Sequence, residues 1–543
     1  MKKASTPDKS IFISRKFRLL TAALSFAGGI GYAMALPPLN FNFLAFVILL
    51  PLLFSALFMK WYWRLFCGWL WGIGWALFAY SFLREIHPAV PWLLAPVLAL
   101  WPGLYTMLLG TAAGFIFKGQ KPLTLRNFEY PWYRVLFYGF VAAALFTVLE
   151  WTRCQLFVWN DLSVTLWQLP VLMQIARLTG RYGASFLITS VNAAIFVLIF
   201  FRKRFIPAGI LLIFPVFALV YGIFRFNAPE EFRDAVTWEC ILIQGDLPQQ
   251  RHGGSEEIRR AIDTYCSMSR QAAAGEKAQT VIWPECAVPI PLRSTHPLGN
   301  IYRQEVAKLL RDSGTQLLIG TLDFDGNGDM TNSAVLIAPS GRIAGKYDKF
   351  HRVPFGEYVP GREFLPESWI KAFDMGRDLT AGKLLNPLPV SDEIRAGTVV
   401  CYEGVFSYVS AGFVRQGANV LAAISNDVWY PESSEPEQHL ANAVMRCVET
   451  GLPMVRCGNN GGSGVVSSKG VFHSYIGTPA ERPELLREKA AGKIQVTFEK
   501  NPEITPAVRF ENLLIWLLLT TALLVFAGDV LYRRFHRKNA VRQ

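Results

Sequence analysis

A cysteine, a glutamate and a lysine each stand near the end of a short apolar run. Together they supply the groups needed for acyl transfer through a thioester. The cysteine is Cys401, in Thr398-Val-Val-Cys401-Tyr402-Glu403. The glutamate closes Val281-Ile-Trp-Pro-Glu285, and the lysine opens Lys349-Phe-His-Arg-Val-Pro-Phe-Gly-Glu357-Tyr-Val-Pro360. A thiol at a strand-to-helix turn can face a cleft where backbone N–H groups stabilise a thiolate or an oxyanion. A carboxylate among apolar groups can act as a base toward a thiol. An ammonium can stabilise a tetrahedral oxyanion. Taken singly, each has a bland reading: a buried cysteine, a loop carboxylate, a solvated lysine. The combination is what points to a site.

These residues need elements to hold them. From residue 237 short β-branched or aliphatic runs alternate with amphipathic patterns. Strands are expected at 238–244, 280–283, 316–322, 333–338, 398–402, 420–425 and 454–457, and helices at 256–274, 302–313, 408–416 and 437–450. Alternation of this kind, over some 270 residues, implies two sheets with helices outside them.

The rest of the chain is of another kind. It is 543 residues long, 52% hydrophobic and only 17% charged. Its mean hydropathy is +0.27. Apolar runs long enough to cross a bilayer fall at about 19–36, 41–58, 65–83, 90–117, 134–152, 185–201, 207–225 and 513–532, about eight spans. The net charge is +13. The basic residues flank apolar runs, for example Lys60 and Arg64, Arg202 to Arg204, and Arg533 and Arg534. They read as positive-inside signals and not as nucleic-acid contacts. Both termini are thereby expected in the cytoplasm. Seven spans before residue 226 then place 226–510 on the outer side, between a basic N-terminus (1–18) with its seven-span domain (19–225) and an eighth span (511–532) with a basic tail (533–543). Glu150 and Arg153 stand near a membrane boundary and are close enough in sequence to pair. None of the eight cysteines forms a CxxC pair, so zinc and dithiol chemistry lack support.

Trp-Pro-Glu285, Tyr-Asp-Lys349, Pro-Phe-Gly-Glu357-Tyr-Val-Pro and Cys401-Tyr402-Glu403, in that order, resemble the nitrilase superfamily. Ser425-Asn426-Asp427-Val-Trp429, Asn459-Asn460-Gly461 and a soluble domain set between seven spans and one resemble its membrane-embedded branch, the apolipoprotein N-acyltransferases. The resemblance implies an α-helical membrane bundle plus an α/β nitrilase-like αββα sandwich. It implies Glu285 as general base, Lys349 as oxyanion stabiliser and Cys401 as nucleophile. Glu357 would order the lysine or assist proton transfer, and Tyr402 and Glu403 would support the cysteine loop and substrate entry. The implied reaction is ping-pong. A phospholipid acylates Cys401, and the α-amine of a diacylglyceryl-cysteine on an apolipoprotein takes the acyl group. No cofactor or metal enters. The implied place is the inner membrane of a bacterium.

Water must be kept from a thioester. Phe364, Trp369 and Phe373, with Asn426 and the Val428-Trp429-Tyr430 turn, are the candidate substrate contacts. Arg352 and Pro431 depart from the family pattern, where an aliphatic residue and glycine are usual. The rival reading is a membrane-tethered nitrilase or amidase acting on a small amide. Its weakness is that one span suffices for an anchor. His351 and His439 could be read as a metal pair, but no short-spaced ligand cluster supports that, and packing roles are the better reading.

Overall fold

The computed structural model describes residues 14–118, 130–201, 204–248, 254–372, 378–430, 433–479 and 487–542. The side chains of Trp369 and of 529–542, and residues Phe373 and Pro431, lie outside the described residues. The chain divides into two units. One is Met1–Ile175, Arg181–Arg225 and Asn512–Gln543; the other is Ala176–Gly180 and Phe226–Glu511. The short piece Ala176–Gly180, which the sequence reading leaves in the membrane domain, packs in the second unit beside the helix Glu435–Thr450.

The first unit is helical among the described residues. Four helices are long and apolar enough to cross a membrane: Arg15–Ala35, Val90–Ile116, Trp132–Leu156 and Arg181–Phe200. The pair Phe205–Leu211 and Ile213–Asn227, bent by 42°, makes a fifth if it counts as one span. This is fewer than the eight apolar runs, and the difference has local causes. The run at 41–58 starts as a 3-10 turn, Asn42–Phe46, before its helix. Trp61–Ala79 is helical but carries Arg64 and tryptophans at 61, 63, 69, 71 and 75. Of the last helix, Leu513–Gly528 is apolar among the residues whose side chains are described, which is short of a full span. Small residues let these helices touch: a Cβ on Gly29 would lie 1.9 Å from the Trp71 carbonyl oxygen. Glu150 and Arg153 do not pair as expected. Glu150 accepts from Leu162 N (2.7 Å) and Ser185 Oγ (2.5 Å), while Arg153 donates to the carbonyls of Phe157 and Trp159 (3.1 Å each). In a bilayer a loop must have its backbone satisfied by protein, and these two side chains do that for the loop after Trp132–Leu156.

The second unit contains twelve strands among its described residues: β1 (Ala235–Gln244), β2 (Thr280–Ile282), β3 (Gln316–Phe324), β4 (Met330–Ile337), β5 (Ile343–Asp348), β6 (Leu388–Pro389), β7 (Arg395–Val400), β8 (Val420–Ser425), β9 (Met454–Gly458), β10 (Gly464–Val466), β11 (Phe472–His473) and β12 (Ala490–Glu499). They form two six-stranded sheets, ordered β12-β1-β2-β3-β4-β5 and β11-β10-β9-β8-β7-β6. β1 to β3, and β7 to β9, run parallel. Parallel strands need crossover helices. In the first sheet these are Ser255–Gly275 and Pro297–Ser313, which bury Ile258, Ile262, Tyr265, Tyr302 and Leu309 against Ile241, Val281, Trp283 and Leu317. In the second they are Ser407–Arg415 and Glu435–Thr450. Between the sheets the Cys457 thiol meets the carbonyls of Ile243 (3.5 Å) and Ile282 (3.3 Å). The layer order is αββα. Strands β5, β6 and β10 to β12 are additions to the sequence reading. β7 ends at Val400, so Cys401 begins the turn that follows.

Candidate active site

Each site residue sits just past a strand end. β2 runs out at Ile282, and Trp283-Pro284 carries the chain to Glu285. Glu285 passes so close to β3 that only glycine fits opposite: a Cβ on Gly320 would lie 2.4 Å from the Glu285 Cα. Lys349 follows β5, and its N–H is fixed to the Asn332 carbonyl of β4 at 2.8 Å. Glu357 lies in the following loop, where its Oε2 accepts from Val353 N at 2.8 Å.

These elements gather a buried charge cluster. Lys349 Nζ donates to Glu285 Oε1 (3.1 Å) and to Glu357 Oε1 (3.0 Å). Asn332 Nδ2 donates to the same two oxygens, at 2.7 and 2.6 Å. The lysine is 1% exposed. Burial acts to lower its pKa, but the Glu285 and Glu357 carboxylates overcome this and hold it well above the ordinary lysine value. It is therefore an ammonium. An ammonium has three N–H donors, and two are committed, leaving one. Glu357 has both oxygens occupied. Glu285 Oε2 makes no hydrogen bond among the described residues.

β7 delivers Cys401 with φ +50, a left-handed backbone that a cysteine rarely adopts. Cys286, beside Glu285, and Phe355, two residues before Glu357, are also left-handed, at φ +46 and +59. Such residues cluster where the surrounding fold imposes a geometry. Burial pushes the Cys401 thiol well up, the Glu285 charge adds to this, and Lys349 opposes it. The resting group is a thiol. Glu403 is fully buried beneath this turn. Its Oε1 accepts from Tyr347 OH (2.7 Å), Phe350 N (2.7 Å) and His351 N (3.0 Å), and its Oε2 from Val400 N (2.9 Å). It thus ties the Lys349 loop to the Cys401 turn. Burial raises its pKa to about 7 against those bonds, which lower it. Tyr402 packs edge-on to Phe406, with ring centroids 5.0 Å apart.

The remaining predicted residues are placed as follows. Trp429 is partly exposed and Phe364 is 84% exposed. Asn426 is buried, with its Nδ2 3.4 Å from the Glu285 carbonyl and its Oδ1 accepting from Asn459 (3.1 Å), so its amide steadies the Glu285 loop. Arg352 donates to the Leu379 carbonyl (2.6 Å) and lies over the Tyr358 ring. His351 pairs with Tyr408 OH at 2.5 Å. Burial and Lys349 lower its pKa to about 4, so it is neutral. Among the described residues Asp427, Glu435 and His439 bring ligand-type atoms within 4.8 Å of one another. The counter-charge there is Arg456, 2.6 Å from Asp427 Oδ2, which makes the group an ion-pair network. Sequence reasoning missed Asn332, Arg456 and the role of Asp427. Asn332 stands between Thr331 and Ser333 on a buried strand, with no local signal that sets it apart. Asp427 stands inside a quoted motif but had no partner in view.

A family profile described as carbon-nitrogen hydrolase matches residues 247–533, and one described as apolipoprotein N-acyltransferase N-terminal domain matches residues 28–194. The chain belongs to the carbon-nitrogen hydrolase family, and its N-terminal part is similar to the N-terminal domain of apolipoprotein N-acyltransferases. It is 33% identical to an apolipoprotein N-acyltransferase of Geobacter metallireducens over 60% of this chain and 63% of that protein. It is 28% identical to one of Caulobacter vibrioides over 82% of this chain and 84% of that protein. The first of these alignments thus spans less than two thirds of its relative. A solved carbon-nitrogen hydrolase from Helicobacter pylori G27 overlaps 48% of this chain and 89% of its own at 18% identity, with a TM-score of 0.33.

Proposed function

We propose that this protein is a membrane acyltransferase that moves an acyl chain from a phospholipid, through a thioester on Cys401, to the α-amine of a diacylglyceryl-cysteine on an apolipoprotein. The observation that carries the reading is the free valence at the cluster: one carboxylate oxygen on Glu285 and one N–H on Lys349. Glu285 takes the Cys401 proton, and the thiolate adds to the ester carbonyl. The third N–H of Lys349 holds the oxyanion. The ester C–O bond breaks, and Glu285 returns the proton to the departing lysophospholipid. In the second half the amine adds to the thioester and loses a proton to Glu285. The C–S bond breaks, and the proton returns to Cys401. Glu357 and Asn332 keep the lysine and base in register. The exposed Trp429 and Phe364 are assigned to the lipid chains, and Trp369 is assigned with them on its sequence position alone. Positive-inside charges support termini in the cytoplasm and residues 226–510 on the outer face of the inner membrane.

The test is intact-mass analysis of purified protein incubated with phospholipid, wild type beside Cys401→Ala. An acyl-sized, hydroxylamine-labile gain on wild type alone is expected. No adduct and no lysophospholipid would count against a phospholipid donor, and turnover of a small amide would establish the hydrolase.

A further inference from the structure

The turn that carries Cys401 is held from below by a chain of three buried side chains on the second sheet and its helix. His439, on Glu435–Thr450, reaches the Cys401 carbonyl with Nε2 at 2.9 Å. Its Nδ1 lies 2.9 Å from Asp427 Oδ1. The other oxygen, Oδ2, is bound by Arg456 at 2.6 Å. Arg456 is pinned in turn to Ser425 Oγ (3.1 Å) and to the carbonyls of Gly461 and Gly462. All three side chains are 4% exposed or less.

A carbonyl oxygen can only accept, and a carboxylate paired with arginine also accepts. The His439 ring therefore meets an acceptor at each of its two nitrogens, the Asp427 carboxylate at Nδ1 and the Cys401 carbonyl at Nε2. The other ionisable group facing it is Glu435, whose Oε1 is 3.9 Å away. This arrangement has a geometric purpose at Cys401. A non-glycine residue at φ +50 is strained and relaxes unless something holds it. The His439 bond clamps the one backbone group of Cys401 that moves when φ and ψ relax.

We propose that His439, oriented by Asp427 and Arg456, is a positioning residue that keeps Cys401 in its left-handed turn, and so keeps the thiol on line with Glu285 and Lys349. The proposal rests on the reading of Cys401 as nucleophile. It does not depend on the identity of the acyl donor. Alkylation of Cys401 by iodoacetamide, followed by peptide mass, therefore reports on the turn even if phospholipid is the wrong substrate.

The experiment compares full-length wild type with His439→Ala and His439→Gln in detergent. For His439→Ala, kcat for thioester formation should fall by about 100-fold, the usual cost of a displacement near 1 Å. KM for phospholipid should stay within about 2-fold, since no lipid contact is lost. Cys401 alkylation should slow by about 10-fold, on the same displacement argument. Added imidazole should restore part of both rates to His439→Ala and none to wild type. His439→Gln keeps one donor toward the Cys401 carbonyl and should fall between the two. Near-wild-type kcat and alkylation in His439→Ala would overturn the proposal. So would a loss that imidazole leaves unchanged and that His439→Gln shares in full, because a merely structural role gives that pattern. If His439→Ala does not fold, His439→Gln and Asp427→Asn carry the test. Unchanged alkylation in both then overturns it.

Discussion

Two buried charge clusters flank the Cys401 turn, and they differ in what they leave free. On the first sheet, one lysine faces two carboxylates, with Asn332 bridging them. One carboxylate oxygen and one ammonium N–H remain uncommitted. On the second sheet, Asp427 stands between His439 and Arg456. Both of its oxygens are taken, and His439 and Arg456 also reach backbone carbonyls. The membrane unit repeats the second pattern, with Glu150 using both oxygens on a loop and a helix. A cluster built to react keeps spare valence beside a nucleophile. In the supporting cluster Asp427, His439 and Arg456 spend their donors and acceptors on one another and on the backbone around them. Burial alone does not separate them, since both are nearly inaccessible.

The contrast breaks hardest at Lys349. Lys349→Met leaves Glu285 and Glu357 sharing one amide with no cation, so one of them keeps a proton and the base is compromised. It also removes the proposed oxyanion donor. Thioester formation should fall by at least about 1000-fold, or about 4 kcal/mol. Single-turnover mass analysis measures this, and a loss under tenfold would sink the assignment of the reactive cluster. The matching change on the other side is Arg456→Met. It strands a buried carboxylate and should cost about 3–5 kcal/mol of stability. Thermal and denaturant unfolding of the detergent-solubilised protein checks it. A stable Arg456→Met protein would mean that the second cluster is not a support.

Glu403 joins the two regions, and its effect should appear as a pH slope. Its pKa in the folded protein is raised by burial from 4.5 to about 7. The folded state then binds the proton more tightly than the unfolded chain. The stabilisation is complete below about pH 4.5 and disappears as pH rises through 7, amounting to about 3 kcal/mol at most. Unfolding midpoints at pH 5 and pH 8 measure this slope. Glu403→Gln should flatten it, and should itself cost about 1–3 kcal/mol, because an amide N–H2 would then face Val400 N–H. A mutant whose pH slope equals that of wild type would show that Glu403 does not titrate there.

A smaller break is Asn332→Ala. The lysine still bridges the two acids, but each loses a donated bond. A loss of about 1–2 kcal/mol, or about tenfold in thioester formation, is expected. An unchanged rate would make Asn332 a bystander.

The sequence was most legible where chemistry and strand ends coincide. Glu285 and Cys401 each follow a short apolar run, and the fold turns both runs into strands that end just before them, whereas Lys349 follows a strand without such a run. β8 was readable from six consecutive small or aliphatic residues, all of which are buried. β5 and β12 were not. β5 mixes glycine, lysine and aspartate, and β12 alternates polar residues on an exposed face, so neither has the apolar run of a central strand. The support network was illegible for a different reason. Asp427, His439 and Arg456 come from a turn, a helix and a strand that only the second sheet brings together. No spacing in one dimension encodes that meeting. Asn332 is the same case on the first sheet.

The finest test applies one substitution to the quieter cluster. Glu435 is buried, and desolvation together with the Asp427 charge holds its carboxyl well above the usual carboxylate range. Both effects favour its protonated form. Its Oε2 has no hydrogen-bond partner among the described residues. Glu435→Gln keeps the shape and the neutral state, so stability should move by no more than about 0.5 kcal/mol and the thioester rate by less than about 2-fold. The same change at Glu357, whose two oxygens hold Lys349, Asn332 and Val353 N, should be far costlier because it removes a charge the lysine needs. If Glu435→Gln instead slows thioester formation by about tenfold or more, an ionised Glu435 is in use near Cys401. The second cluster would then take part in the reaction, and the division between reacting and supporting clusters would fail.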